Sequence, residues 1–217
     1  MGKERSLNEV NKPISQFFGG VIPAERLAHM AEDPYWDEEP AKGRHSFPLP
    51  VPRPEQEASE RREEMLLTLG IPSDELYVIP PFNCAQSPQS HKGPYRWATD
   101  FLVLDGTPVL VAADGMVIES VDKFTEWGDD PELASRMNLV TIRHEWPDGP
   151  EFSQYCHLAE GTVRAHVGQL VTRGEQIAQV GKVGWTDRDH LHFIVFRNNL
   201  RGPGAYGFKS LRVAKFE

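Results

Sequence analysis

Two histidines separated by one residue, His190 and His192, head the stretch Asp189-His190-Leu191-His192-Phe193-Ile194-Val195-Phe196. Apolar, β-branched and aromatic residues dominate it and Arg197-Asn198-Asn199 ends it, which predicts a β-strand. On a strand both imidazoles project from one face, with Leu191 and Phe193 turned into a core. Such a pair either belongs to a chemical site or is two solvent-facing histidines on an edge strand. Asp100 bears on the choice, because it sits in the otherwise apolar Trp97-Ala98-Thr99-Asp100-Phe101-Leu102-Val103, where a carboxylate needs a partner. That partner is either a site component or Arg96, paired to it in a turn or at an edge. His157 ends Tyr155-Cys156-His157-Leu158 on a second predicted strand, on the face of Tyr155, and taken alone reads as a core histidine. A few nitrogen and oxygen ligands held rigidly, with one position left for water, are what metal catalysis on a β scaffold requires.

The elements that must position these groups are short strands separated by turn residues. The expected strands are 76–79, 98–104, 108–113, 115–121, 138–144, 152–158, 169–172, 176–180 and 192–196, with hairpin turns at Asp105-Gly106 and Asp114-Gly115. Between Asp122 and Arg136 a polar segment holds one helical turn, Glu132–Arg136, and is expected to interrupt and overhang the sheet. The fold class is mainly β, an antiparallel sheet or sandwich over residues 76–217. Residues 1–75 form an acidic, Pro-rich arm, with 15 acidic against 9 basic residues. Within the arm, helices are predicted at 23–30, with Pro23 in the first turn, and at 59–70, between a Ser59 cap and Gly70. Prolines at 48, 50 and 52 keep the stretch from Pro40 to Pro54 extended. His29 and His45 in the arm, and His144 and His166 beyond it, are read as structural or solvated.

A net charge of −9 over 217 residues argues against a nucleic-acid partner, since phosphate binding needs a basic surface and no Lys/Arg cluster offsets the overall sign. No apolar run approaches the roughly 20 residues of a membrane span. Two cysteines, Cys84 and Cys156, are too few for a disulfide framework. The stretch Met1 to Val10 lacks the apolar core of a secretory signal, so the expected location is cytoplasmic, or the cell envelope by another export route.

Taken together the motifs resemble the lysostaphin/LytM-type zinc metallopeptidases, which cut peptide bonds in bacterial peptidoglycan. The matching pieces are Asp100-Phe101, Gly106-Thr107-Pro108-Val109, Ala112-Ala113-Asp114-Gly115-Met116-Val117, Asn138 to His144, Tyr155 to Leu158, Val167 to Gly181 and His190-Leu191-His192-Phe193. They span residues 76–198 and leave the arm uncovered. The resemblance implies Zn²⁺ held by Asp100 and His192, with His157 and His190 as the catalytic pair. Family members commonly place a third ligand, a histidine, four residues before the aspartate, where this chain has Arg96, a permanent cation that cannot ligate. His91 stands nine residues before Asp100, ahead of the Gly93-Pro94 turn, and a longer loop can deliver it to the same point at modest entropic cost. Either His91 is the third ligand or the site has lost one. A second departure, Trp185-Thr186-Asp187-Arg188-Asp189, puts charges at the cleft mouth where relatives carry a Gly-rich turn and a proline.

The implied function is a zinc endopeptidase acting on peptidoglycan cross-links or stem peptides. The alternative is a non-catalytic binding or regulatory module on the same scaffold, although modules of that kind typically lose ligands or catalytic histidines that this chain retains. Val167 to Gly181 also resembles the hairpins of biotin or lipoate carriers, but Lys182 follows the turn and has no flanking methionines.

Overall fold

Alternating apolar residues let each strand bury one face and leave the other for chemistry, and the register of the sheet decides which residues share that second face. The computed structural model describes residues 40–41, 44–51, 76–79, 82–87, 90–91, 93–199, 207–213 and 216. In chain order the strands are β1 (Pro40–Ala41), β2 (Leu76–Ile79), β3 (Phe82–Ala85), β4 (Thr99–Phe101), β5 (Pro108–Leu110), β6 (Gly115–Val121), β7 (Trp127–Gly128) and β8 (Leu139–His144). They continue as β9 (Glu151–Cys156), β10 (Leu170–Val171), β11 (Gln176–Gln179), β12 (Gly184–Trp185), β13 (Leu191–Asn199), β14 (Gly207–Ser210) and β15 (Arg212–Val213). The expected turn of helix at 132–136 is a 3-10 helix, Pro131–Ser135, capped by Asp130. The helices predicted at 23–30 and 59–70, and His29, lie outside the described residues.

Nine strands form one antiparallel sheet in the order β10-β6-β8-β9-β13-β4-β3-β2, with β14 also paired to β13. β13 is its axis: one edge runs along β9, and the other is shared by β4 at residues 191–193 and β14 at residues 196–199. On one face Phe101, Val140, Ile142, Tyr155, Leu191, Phe193 and Val195 meet Val109, Ile177, Ala178 and Val180, contributed by the β5–β11 pair and its ends, in the main core. The opposite face carries a smaller cluster of Ala98, Phe152, Ile194, Phe196 and Phe208. His192 and Asp100 lie on that second face, since they alternate with Leu191, Phe193 and Phe101. Cys84 lies in the main core and Cys156 pairs with His192 in register, so the two thiols are free and on opposite faces.

Residues 44–51, on the arm side of the expected boundary at 75, sit inside this architecture. Leu49 is buried in the main core, and Phe47 stacks on Phe216 with ring centroids 4.6 Å apart while leaning on Phe82 and Phe101. Backbone bonds from Ser46 N–H to the Ala112 carbonyl and from Leu110 N–H to the Pro48 carbonyl, 2.7 and 2.8 Å, fasten the segment. Because Phe101 points away from Asp100, this segment lies on the face opposite the histidine pair. Residues 44–51 are thus packed with the sheet although they precede residue 75 in the chain. His45 and His144 are fully buried there, with His144 bonded to the Asp114 carbonyl and Ser153 Oγ.

Candidate metal centre

Asp100 and His192 face each other as register partners on β4 and β13, so the pair is held by two strands rather than by side-chain contacts alone. His192 Nδ1 lies 2.8 Å from Asp100 Oδ1. His91 arrives from the loop before the Gly93–Tyr95 3-10 turn, placing Nε2 3.1 Å from Asp100 Oδ1 and 3.2 Å from His192 Nδ1. Three lone-pair atoms thus form a triangle with edges of 2.8–3.2 Å, all three residues being buried or nearly so. A protonated imidazole at these distances donates to the Asp100 carboxylate, and with both nitrogens unprotonated the three atoms would turn their lone pairs on a single cation. Arg96, four residues before Asp100, is exposed and lays its guanidinium over the Trp97 ring at 4.8 Å, away from the triangle.

The second histidine pair is adjacent. His157 and His190 have ring centroids 4.6 Å apart, His157 lies 5.9 Å from His192, and His190 Nε2 is 3.6 Å from Asp100 Oδ1. Strand alternation alone would put His157 on the buried face of Tyr155. The structure corrects this: β9 ends at Cys156, and His157 takes a left-handed φ of +62°, which swings its ring to the opposite face. Backbone carbonyls then hold both rings. His157 Nδ1 meets the Val183 carbonyl at 2.9 Å, and His190 Nδ1 meets the Arg188 carbonyl at 3.1 Å with Thr186 Oγ1 at 3.3 Å. A carbonyl only accepts, so each Nδ1 carries a proton, and in a neutral ring Nε2 is then the acceptor.

The Val183 and Arg188 carbonyls and Thr186 were not legible beforehand, because a backbone acceptor leaves no mark in the residue types. Gly184 leaves one: at φ +107° it brings β12 against His157, where an added Cβ would stand 2.9 Å from Met137 Cβ and 3.5 Å from His157 Nδ1. β12 pairs with β7, and Trp185 Nε1–H donates to Asp129 Oδ1 at 2.9 Å, so the polar segment after Asp122 does form a wall. The mouth charges pair among themselves, Arg188 with Asp187 and Lys182 with Asp189 at 3.7 Å.

Electrostatics set the charge of the site. Burial alone would raise the Asp100 pKa, but the charges of His91 and His190 and hydrogen bonds with His192 and His91 outweigh it and hold the carboxyl well below its usual range. Burial, helped by His190 and His192, pushes His157 down to about 3. Burial also lowers His192, against the pull of Asp100. At neutral pH the site therefore presents an ionised carboxylate with neutral His157 and His192, a donor set that suits a divalent cation.

Residues 94–201 match the model of Peptidase family M23. An uncharacterized metalloprotease of Haemophilus influenzae is 36% identical over 104 residues, covering 48% of this chain and 18% of that protein. The glycyl-glycine endopeptidase ALE-1 of Staphylococcus capitis is 30% identical over 113 residues, covering 52% of this chain and 28% of that protein. The chain thus spans less than a third of the length of these relatives. Among solved structures, the lysostaphin catalytic domain of Staphylococcus simulans is 23% identical, with 52% of this chain and 74% of that one covered and a TM-score of 0.38. A zinc-containing peptidase of Vibrio cholerae is 24% identical, with coverages of 68% and 39% and a TM-score of 0.41. At such scores the assignment rests on the sequence match, and by it the chain belongs, through residues 94–201, to peptidase family M23, the lysostaphin/LytM-type peptidases.

Proposed function

We propose that the domain is a zinc-dependent endopeptidase that cuts peptide bonds of peptidoglycan, with His91, Asp100 and His192 as metal ligands and His157 and His190 as the proton-handling pair. The observation that carries this reading is the triangle of His91 Nε2, Asp100 Oδ1 and His192 Nδ1 beside two histidines whose Nδ1 atoms are each tied to a backbone carbonyl. Ligands about 2.0–2.1 Å from a tetrahedral zinc stand about 3.3–3.4 Å apart, close to the edges of 2.8–3.2 Å found here. Two imidazoles and one carboxylate leave a fourth position for water, as catalytic zinc sites do, and bound there zinc supplies Lewis acidity to the water and the scissile carbonyl.

The chain's own residues supply the rest. With its pKa held down by burial, His157 is neutral at any working pH, and its Nε2 can accept the proton of an attacking water and return it to the departing amine. His190 Nε2, 3.6 Å from Asp100 Oδ1, lies beside the same position and, once protonated, donates to the oxyanion that develops on the carbonyl. The carbonyls of Val183 and Arg188 keep both rings in the required tautomer throughout. A peptidoglycan substrate is supported by the sequence similarity to a glycyl-glycine endopeptidase.

Zinc stoichiometry measured beside turnover on peptidoglycan and on glycine-rich peptides tests the reading. His192→Ala is expected to lose metal and activity together. His157→Ala and His190→Ala are expected to keep the metal and lose turnover by about 10²-fold or more. A zinc-loaded parent inactive on every substrate defeats the enzyme reading and favours a binding module; a parent that takes up no zinc defeats the metal centre.

A further inference from the structure

The three ligands are not equally well held. Asp100 and His192 are locked by strand register, whereas His91 comes from a loop nine residues upstream of Asp100, and its buried Nδ1 has no hydrogen-bond partner among the described residues. Ligand histidines ordinarily have that second nitrogen fixed by a carboxylate or carbonyl, which sets the ring's orientation. Here the loop itself must do so. Its described bonds are local: His91 N–H to the Ser87 carbonyl at 3.1 Å, Ser90 N–H to Ser87 Oγ at 3.2 Å, and Gln86 Nε2 to the Arg96 carbonyl at 3.1 Å.

One side chain ties this loop to the sheet beneath the centre. Tyr95 ends the 3-10 turn Gly93–Tyr95, directly after the buried Pro94, and accepts a backbone bond from Ala98 N–H at 2.8 Å. Its ring lies edge-on between His192, at 6.3 Å and 64°, and Phe208, at 5.3 Å and 76°. Phe208 belongs to β14 and is pressed on Phe196 of β13 at 5.1 Å, so Phe196, Phe208, Tyr95 and His192 form a continuous line of rings. Trp97 N–H adds a bond to Ser210 Oγ on the same strand at 3.2 Å. Burial first, then the nearby Cys156 and Glu119, raises the pKa of the Tyr95 hydroxyl. Both His91 and Phe208 lie outside residues 94–201, the segment shared with the family.

We propose that Tyr95 is a positioning residue of the metal centre: wedged between His192 and Phe208, it fixes the loop that delivers His91 to Asp100 and His192. The proposal rests on reading those three residues as the zinc ligands. It predicts that the ring, anchored against His192 and Phe208, acts on the metal centre mainly through the placement of His91.

The test is a double-mutant cycle on the full chain, with zinc affinity read by competition against a chelator and ligand geometry read from the visible absorption of the Co²⁺-substituted protein. Tyr95→Ala is expected to weaken zinc binding by about 10–100-fold and to shift the Co²⁺ spectrum toward that of His91→Ala. In the His91→Ala background the same change is expected to have little further effect, because the residue it serves is gone. Tyr95→Phe, which keeps the ring, is expected to restore parental affinity and spectrum. Should circular dichroism show Tyr95→Ala unfolded, Phe208→Leu enters the same cycle with the same expectations. Equal losses of affinity in both backgrounds would mean that Tyr95 is general core packing, and the proposal falls. Parental affinity in a folded Tyr95→Ala overturns it too, while leaving the metal centre standing. A parent chain that binds no zinc overturns the centre itself and this inference with it.

Discussion

Replacing His45 with leucine is expected to stabilise the protein and to flatten its response to acid. His45 is fully buried on the face opposite the candidate metal centre, edge-on to His144 at 5.3 Å and Trp146 at 6.3 Å, and among the described residues neither ring nitrogen has a hydrogen-bond partner. Glu151 Oε2 stands 3.9 Å away, too far to bond, and its other oxygen is already held by Arg197 at 2.7 Å with Arg44 at 3.8 Å. Burial first, then the charges of His144, Arg173 and Arg44, pull the His45 pKa from 6.5 to about 3. The unfolded chain thus takes up a proton below pH 6.5 that the folded chain refuses until about pH 3. Stability is therefore lost as pH falls through that window and is fully present above it. At about 1.4 kcal/mol per pKa unit, His45 alone costs about 2 kcal/mol between pH 7 and pH 5. Leucine has similar bulk and takes up no proton, and it removes two unpaired polar atoms whose burial costs about 1–3 kcal/mol each. His45→Leu is thus expected to be at least as stable as the parent at pH 7, and to lose about 2 kcal/mol less on acidification to pH 5. Urea denaturation of both chains at the two pH values, with chelator present to keep the metal ligands out of the comparison, measures this. Identical pH dependence, or a clear loss of stability at pH 7, would refute the reasoning.

Three further outcomes follow from the geometry. Arg96→Ala should leave zinc affinity within ~0.5 kcal/mol of the parent, because the guanidinium is exposed on Trp97, and a large loss would show that the Arg96 side chain supports the centre. Deleting residues 44–51 removes Leu49 and Phe47 from the main core and should cost at least about 5 kcal/mol in urea denaturation; an unchanged midpoint would place that segment outside the core. Gly184→Ala forces a Cβ at φ +107° to within 2.9 Å of Met137 Cβ, which should shift the Val183 carbonyl from His157 and reduce turnover by about 10-fold or more with zinc retained. Parental turnover in that variant would show that the His157 tautomer does not depend on this carbonyl.

The parts of the centre legible in the sequence are those governed by period two. His192 against Leu191 and Phe193, and Asp100 beside Phe101, can be assigned to a face from alternation alone, and pairing Asp100 with His192 only required that their strands be neighbours. Strands 76–79 and 115–121 coincide with expectation to the residue for the same reason, whereas the expected strand at 98–104 shrinks to Thr99–Phe101. Phe82–Ala85 and the buttress at Gly207–Ser210 were missed because short strands acquire their pairing from distant partners. His157 is the sharpest case: its left-handed φ reverses the face that periodicity assigns, and only the fit of its ring against the Val183 carbonyl and His190 holds it there. The choice of His91 over position 96 is of the same kind. Residue type excludes arginine as a ligand, but where the loop brings His91 is set by packing, for which we propose the contact of Tyr95 with Phe208, more than a hundred residues away. Local alternation is written in neighbouring residues, whereas a loop's end point and a strained dihedral are set by contacts that exist only once the chain has folded.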